Sequence, residues 1–103
     1  MAEVSDSELL DQFVRRESQE AFAALVRRYV ALVYSVSLRH TASIETAQEI
    51  TQAVFVVLAR KAASLRGRRA LAGWLYHAAR LTAANQRRAE QRRRHREQEA
   101  YMQ

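Results

Sequence analysis

The sequence predicts an all-α fold, a compact bundle of about four helices. Its 103 residues include no proline and only two glycines, so few positions favour the tight turns of a β-sheet. Apolar residues recur at alternating spacings of three and four, which is the period of a helix and not of a strand. A chain of this length fits one domain, which we place at residues 1–96, with residues 97–103 as the start of a linker or tail.

The first two helices each begin at a serine. Ser5 and Glu8 form a predicted capping box, in which each residue satisfies a free amide group of the other. Leucines and other apolar residues then continue the first helix to about Arg16. Ser18 is the predicted N-cap of the second helix, whose apolar stripe ends near His40.

The third and fourth helices are separated by a basic loop. Ser43 is the predicted N-cap of the third helix, and we assign residues 54–57 to that helix although Val-Phe-Val-Val alone is β-prone. The segment Ser64–Arg69 breaks the apolar pattern and predicts a loop. A fourth helix is expected from about Ala70. Beyond Asn85 its apolar stripe ends, and the arginine-rich remainder either extends the helix or is frayed.

Charge is distributed unevenly along the chain. The net charge is +6, but residues 1–58 carry −3 and residues 59–103 carry +9. This asymmetry indicates a polyanionic partner on one side of the molecule. Sixteen of the seventeen basic residues are arginine, which favours bidentate contact with phosphate, although a GC-rich genome would produce the same bias.

Several functional classes are disfavoured by what the sequence lacks. Without cysteine there are no disulfides or thiolate metal sites. His40, His77 and His95 have no metal-ligand spacing with an acidic residue, and no phosphate-binding glycine loop or nucleophile elbow occurs. We expect no enzyme, no metal and no cofactor. We also expect no membrane span and a soluble, cytoplasmic protein.

Basic and aromatic residues occur together at the predicted loop and on the fourth helix. Arginines neutralise phosphates while an aromatic ring stacks on an unpaired base, so the pattern indicates contact with single-stranded or melted nucleic acid. Trp74 lies on the apolar stripe and can equally be buried in the core, whereas Tyr76 is expected to face elsewhere and to be the better stacking residue. The nucleic-acid candidates from this pattern are Arg66, Gly67, Arg68, Arg69, Trp74, Tyr76, His77, Arg80, Arg87 and Arg88.

The third helix offers a different surface. Gln48, Glu49 and Gln52 have helical spacing and lie opposite the apolar stripe, with Phe55 and Val56 close by. Exposed apolar residues beside polar ones mark protein-binding sites. For Phe55 the alternative is packing against the second helix.

Four short motifs follow one another in an order typical of one family. They are Asp6-x-Glu8-Leu9-Leu10, Ala21-Phe22 before Leu25 and Tyr29, Ala47-x-Glu49-x-x-Gln52-x-x-Phe55, and Gly73-Trp74-Leu75-Tyr76-x-x-Ala79-Arg80. Over about residues 5–96 the chain resembles region 2 of a bacterial sigma factor of the extracytoplasmic-function (ECF) class.

The resemblance implies two partners, RNA polymerase and promoter DNA. It assigns Gln48, Glu49, Gln52, Phe55 and Val56 to binding of the clamp helices of the polymerase β′ subunit. It assigns the loop, now including Ser64 and Leu65, to capture of a flipped base from the non-template strand of the minus-ten element, which helps to melt the promoter. Flipping costs only a few kcal/mol at a weak step. An anti-sigma factor is common in this class, and a monomer is expected.

The sequence departs from the family pattern at three positions. Ala53 replaces an acidic residue that often follows the family's glutamine, Leu81 replaces an asparagine, and Asn85 replaces an aspartate. We expect weaker or altered polymerase and DNA contacts there. The family's second, helix-turn-helix domain is not in this sequence, and we expect truncation to be the reason. The competing hypotheses are a nucleic-acid-binding module without promoter specificity and a helical protein-interaction adaptor.

Overall fold

Four α-helices form the molecule. A computed structural model describes residues 3–68 and 70–103. Within these residues every regular element is an α-helix, and short turns join the helices. The helices are α1 (Asp6–Arg16), α2 (Gln19–Arg39), α3 (Ile44–Leu65) and α4 (Leu71–Met102). The predicted all-α fold is therefore confirmed.

Serine residues begin the first three helices, as predicted. The hydroxyls of Ser5, Ser18 and Ser43 each accept a hydrogen bond of 3.1 Å from the backbone N–H three residues further on. This satisfies one of the free amide groups at each helix start. Only half of the predicted capping box is present, because among the bonds of the described residues none joins the Glu8 carboxylate to the Ser5 amide.

The core lies between α2 and α3, each of which packs against all three other helices. Residues 54–57 are helical, as predicted, because Val54 and Leu58 lie on the stripe that α3 buries. The largest side chains that are almost fully buried are Leu10, Leu25, Val33, Val36, Ile50, Val54, Leu58 and Leu75. Burial of such aliphatic side chains supplies about 1.5–3 kcal/mol each before the entropy cost of folding.

A polar cluster ties α1 to α2. The Arg28 guanidinium donates to Asp6 Oδ1 at 2.7 Å and to the Val4 carbonyl at 2.8 Å, and the Tyr29 hydroxyl donates to the other Asp6 oxygen. Burial, reinforced by the hydrogen bond to Asp6, raises the pKa of Tyr29 to about 12. The hydrogen bond to Asp6 raises the pKa of Arg28 above its ordinary value. The cluster holds the start of α1 against a helix of the core.

Helix α4 extends well past the bundle. Its last buried residue is Ala83, and every residue from 91 to 103 is exposed. The molecule consequently measures 64 Å along its longest axis but only 23 and 21 Å across. Of the two alternatives for the arginine-rich segment, the structure has the helical one.

Helix α2 is long and apolar enough to cross a membrane by length and composition alone, so the expectation of no membrane span stays a prediction. This helix contains an 18-residue window with a mean hydropathy of 1.4, and 28% of that window is buried inside the protein. Length and composition are the only grounds for such an assignment, and the core helix of a bundle satisfies them equally. Here α2 packs against α1, α3 and α4.

Candidate nucleic-acid and protein-binding surfaces

The connection between α3 and α4 is shorter than predicted. Ser64 and Leu65 belong to the last turn of α3: the Ser64 hydroxyl donates to the Lys61 carbonyl at 2.8 Å, and Leu65 is only 3% exposed. The predicted loop start at Ser64 was therefore wrong, and Leu65 is a core residue that cannot contact DNA without unfolding locally. Helix α3 continues two residues further than the sequence interpretation allowed.

The loop itself is anchored by two buried leucines, Leu65 before it and Leu71 after it. Gly67 has a φ of +80°, a conformation that favours glycine, and the Arg68 N–H donates to the Leu65 carbonyl at 3.2 Å. The Arg68 side chain is exposed and forms no ion pair with the described residues. Arg69, also predicted to bind nucleic acid, lies outside the described residues.

Arg66 differs from Arg68 because its charge is already paired. Its Nη1 lies 3.2 Å from Asp11 Oδ1 on α1, and its Nε donates to the Ala63 carbonyl at 3.5 Å. The same Asp11 oxygen lies 3.1 Å from Arg15 Nε. In the free chain Arg66 thus faces Asp11, and its predicted contact with nucleic acid stays a prediction. The two partners are 55 residues apart, so no local pattern could have revealed the pair.

The aromatic pair of α4 flanks the buried Leu75. Trp74 is half-buried against the core, which is the packing alternative raised for it. Tyr76 is also half-buried and packs against the core on the other side of Leu75, so the expectation that it faces away from the core is only partly correct. The Tyr76 ring meets the His77 ring edge-on at 5.7 Å.

Basic residues continue along the outer side of α4. The Arg80 guanidinium lies 5.8 Å from the centre of the Tyr76 ring, so cation and aromatic face are adjacent as a base-stacking surface requires. His77, Arg80, Arg87 and Arg88 are all exposed. Arg80 and Arg87, two turns apart, lie on one face. Arg88 donates to the side chain of Asn85, one of the three positions that depart from the family pattern.

Four of the five residues in the predicted protein-binding face on α3 are exposed, and one, Phe55, is buried. Gln48, Glu49 and Gln52 are exposed, as predicted, and Val56 is 50% exposed. Phe55 is only 8% exposed and belongs to the core, so its predicted exposure was wrong and the packing alternative is confirmed.

Helix α2 contributes to this face in a way the sequence analysis missed. An apolar groove runs between α2 and α3, with Phe22, Val26 and Val30 on one wall and Gln52, Phe55 and Val56 on the other. The three α2 residues are four apart and therefore share one side of the helix. Val30 is 40% exposed although it is apolar. The spacing of these α2 residues was visible in the sequence, but their position opposite Gln52, Phe55 and Val56 of α3 was not.

The other two positions that depart from the family pattern are also at the surface. Ala53 is exposed on α3, and Leu81 is 61% exposed on α4 beside Arg80. An apolar side chain at position 81 leaves the basic face without a hydrogen-bonding group there. In the part of the chain that the structure describes, no group of three His, Cys, Asp or Glu residues could hold a metal ion.

Comparison with known proteins assigns the chain to a family. The family model for Sigma-70 region 2 matches residues 25–93, which run from the middle of α2 through α3, the loop and most of α4. A search of curated proteins found no match. A helical bundle with a basic loop and helix, matched by this family over most of its length, identifies the chain as a member of the Sigma-70 region 2 family, with a sigma-factor role in promoter recognition and RNA polymerase binding.

Proposed function

We propose that this domain is region 2 of an ECF sigma factor. In this proposal it docks on the clamp helices of the polymerase β′ subunit and captures the non-template strand of the promoter minus-ten element. The observation that carries the proposal is the presence of two different surfaces: the exposed Arg68 next to the aromatic-basic start of α4, and the apolar groove between α2 and α3.

The DNA surface combines charge with stacking. Arg68 protrudes from a loop whose two ends are fixed in the core, so little conformational entropy is lost when it meets a phosphate. Tyr76 and Arg80 provide an aromatic face and a guanidinium, on which an unpaired base can stack. These features suit a melted strand better than a duplex, whose bases are already stacked.

The DNA proposal is tested by binding the chain to a single-stranded minus-ten oligonucleotide and to a scrambled one. We expect a preference for the first, and Arg68→Gln should reduce the slope of log affinity against log salt by about 0.7 for each phosphate that Arg68 neutralises. Arg27→Gln is the matched control, since Arg27 is an exposed arginine of α2. Equal affinity for both oligonucleotides would favour a nucleic-acid module without promoter specificity.

The polymerase surface has the form of a helix-binding groove. Val26, Val30 and Val56 present an apolar surface and Gln52 a polar group in the groove, and the exposed Gln48 and Glu49 precede Gln52 on the same helix. An apolar centre with a polar rim is the usual anatomy of a protein interface, and an amphipathic helix fills such a groove. The buried Phe55 supports the floor of the groove and does not itself protrude.

Binding to an isolated β′ clamp-helix fragment tests this surface. Val56→Glu should weaken binding by tenfold or more, because a charge would be buried at the centre of the contact. Ile44→Glu is the control: Ile44 lies on the same helix and is 57% exposed, but it does not line the groove. If both variants bind like the parent chain, the groove is not the polymerase surface.

The remaining parts of the proposal concern the cellular setting. We propose a cytoplasmic, monomeric, non-enzymatic factor that works without a cofactor, with an anti-sigma factor as a further partner. Membership of the family is the only support for these properties. A chain that bound the clamp fragment but not DNA would instead be a protein-interaction adaptor.

A further inference from the structure

Among the described residues, an ionic contact joins α1 to the loop between α3 and α4, which we call the DNA loop. Arg66 directly follows α3, pairs with Asp11 of α1 at 3.2 Å and bonds back to the Ala63 carbonyl at 3.5 Å. Its side chain is one-third exposed and that of Asp11 about half, with relative accessibilities of 33% and 47%. The guanidinium therefore connects two helices while also capping the last turn of one of them.

The position of this contact in the loop gives it an effect beyond general stability. Arg66 has a φ of −60° and a ψ of 138°, and the next residue, Gly67, turns the chain with its positive φ. Arg68 follows at once, its N–H bonded to the Leu65 carbonyl. The direction in which the Arg68 side chain leaves the bundle thus depends on the backbone that the Arg66–Asp11 pair holds.

We propose that Asp11 and Arg66 form a latch that positions the DNA loop, and that Arg66 is a positioning residue and not a phosphate contact. The latch rests on the proposed function, since it prepares the loop for a melted strand. It also gives α1 a role in DNA binding that its own net charge, with three acidic and two basic residues, does not suggest. A loop held in one conformation has less entropy to lose on binding, which removes part of the ordering cost.

Asp11→Asn, made in an Arg15→Gln background because Asp11 also pairs with Arg15, separates the two roles of Arg66 by the sign of its effect. If Arg66 contacted a phosphate, releasing it from Asp11 would strengthen DNA binding. If it positions the loop, the same change weakens binding, by about two- to fivefold for a partly exposed ion pair. Glu8→Gln is the matched control: Glu8 lines a cleft together with Asp11 and Arg66, and its substitution removes the same charge, but Glu8 forms no ion pair with the described residues.

The double variant Asp11→Asn/Arg66→Gln completes a thermodynamic cycle. A latch is broken by either change, so the double variant should bind DNA as weakly as each single variant, with the salt slope unchanged. The proposal would be overturned if the two single substitutions changed DNA affinity in opposite directions and their effects added in the double variant. It would also be overturned if Arg66→Gln alone reduced the salt slope of DNA binding.

A measurement without DNA tests the latch independently of the proposed function. In hydrogen exchange followed by NMR, Asp11→Asn should accelerate exchange of the Arg68 amide, which bonds to Leu65, while the amides of the core residues Ile50 and Val54 stay protected. Unchanged exchange at Arg68 would refute the latch whatever the parent chain binds. Accelerated exchange in a chain that does not prefer the minus-ten strand would uphold the latch and refute only the DNA proposal.

Discussion

Tyr29 shares the carboxylate of Asp6 with Arg28, and this arrangement controls how the hydroxyl titrates. The hydroxyl is a donor only while it keeps its proton, and loss of that proton would place a phenolate beside the carboxylate. Partial burial and the Asp6 bond therefore raise the pKa of Tyr29 to about 12, from an ordinary value of 10.0. A group that holds its proton more tightly when folded stabilises the fold below its unfolded pKa.

We predict a difference between the parent chain and Tyr29→Phe that depends on pH. Below about pH 10 the variant should be less stable by about 1 kcal/mol, the contribution of one hydrogen bond. As pH rises from 10.0 towards 12, the parent chain should lose this advantage, because its folded state must then release the Tyr29 proton or hold it unfavourably. Urea unfolding at a series of pH values measures the difference.

Tyr34→Phe serves as the control, since Tyr34 lies on the same helix and forms no hydrogen bond through its hydroxyl with the described residues. A difference between the parent chain and Tyr29→Phe that stays constant to pH 12 would contradict the predicted titration. The absence of any difference at neutral pH would show that the Asp6 bond contributes nothing to stability.

At the scale of single residues, local signals are predictable and distant pairs are not. Ser5, Ser18 and Ser43 can be identified as caps because a cap bonds to a backbone group only three residues away. The pairing of Arg66 with Asp11 spans 55 residues and depends on how α1 packs, which no periodicity encodes. The same limit explains why the sequence pattern predicts Arg66 to be free for a phosphate.

At the scale of elements, α4 divides into two parts with different sources of stability. Up to Ala83 the helix buries one face, formed by Leu71, Leu75, Ala79 and Ala83, whereas residues 91–103 bury nothing. The outer part is held by backbone bonds and by exposed pairs such as His95 with Glu99 at 3.1 Å and Arg93 with Glu90 at 3.9 Å. Exposed pairs of this kind stabilise a helix by only a few tenths of a kcal/mol each.

A chain ending at Glu90 should therefore have a free energy of unfolding within about 0.5 kcal/mol of the parent chain's. Its far-UV circular dichroism should lose the signal of the removed helical segment. A chain ending at Thr82 is the contrasting variant, because it removes the buried Ala83. That second truncation should lower the melting temperature clearly. If removing residues 91–103 alone lowered the melting temperature to the same extent, the outer segment would be part of the cooperative fold.

The sequence indicates how many helices there are but not where α3 ends. Its pattern places the last apolar residue of α3, Leu65, in the loop because Ser64 and Gly67 on either side are typical loop residues. In the structure Leu65 is buried, and tertiary packing extends the helix through a weak local sequence. For the same reason the α2 wall of the groove was missed, since a groove exists only once two helices lie side by side.

At the scale of the whole molecule, α3 connects the two proposed binding surfaces. Val56 lies in the groove with α2, and Arg66 begins the DNA loop directly after the end of the same helix. Ten residues of helix separate these positions, or about 15 Å at 1.5 Å per residue. Helix α3 is packed against three neighbours, so we expect it to hold the two surfaces at a fixed spacing without transmitting a change between them.

This arrangement predicts that the two functions can be removed separately. Val56→Glu should weaken binding to the clamp-helix fragment by tenfold or more and leave affinity for the minus-ten strand unchanged, while Arg68→Gln should weaken DNA binding and leave affinity for the fragment unchanged. In the double variant each partner should bind as it does to the corresponding single variant, to within about 0.5 kcal/mol, as for sites more than 7–10 Å apart that share no partners. Fluorescence titrations of each partner against the four chains measure all the required affinities. A coupling clearly larger than that would mean that polymerase docking and DNA capture share a conformational change, and α3 would then be its most direct route.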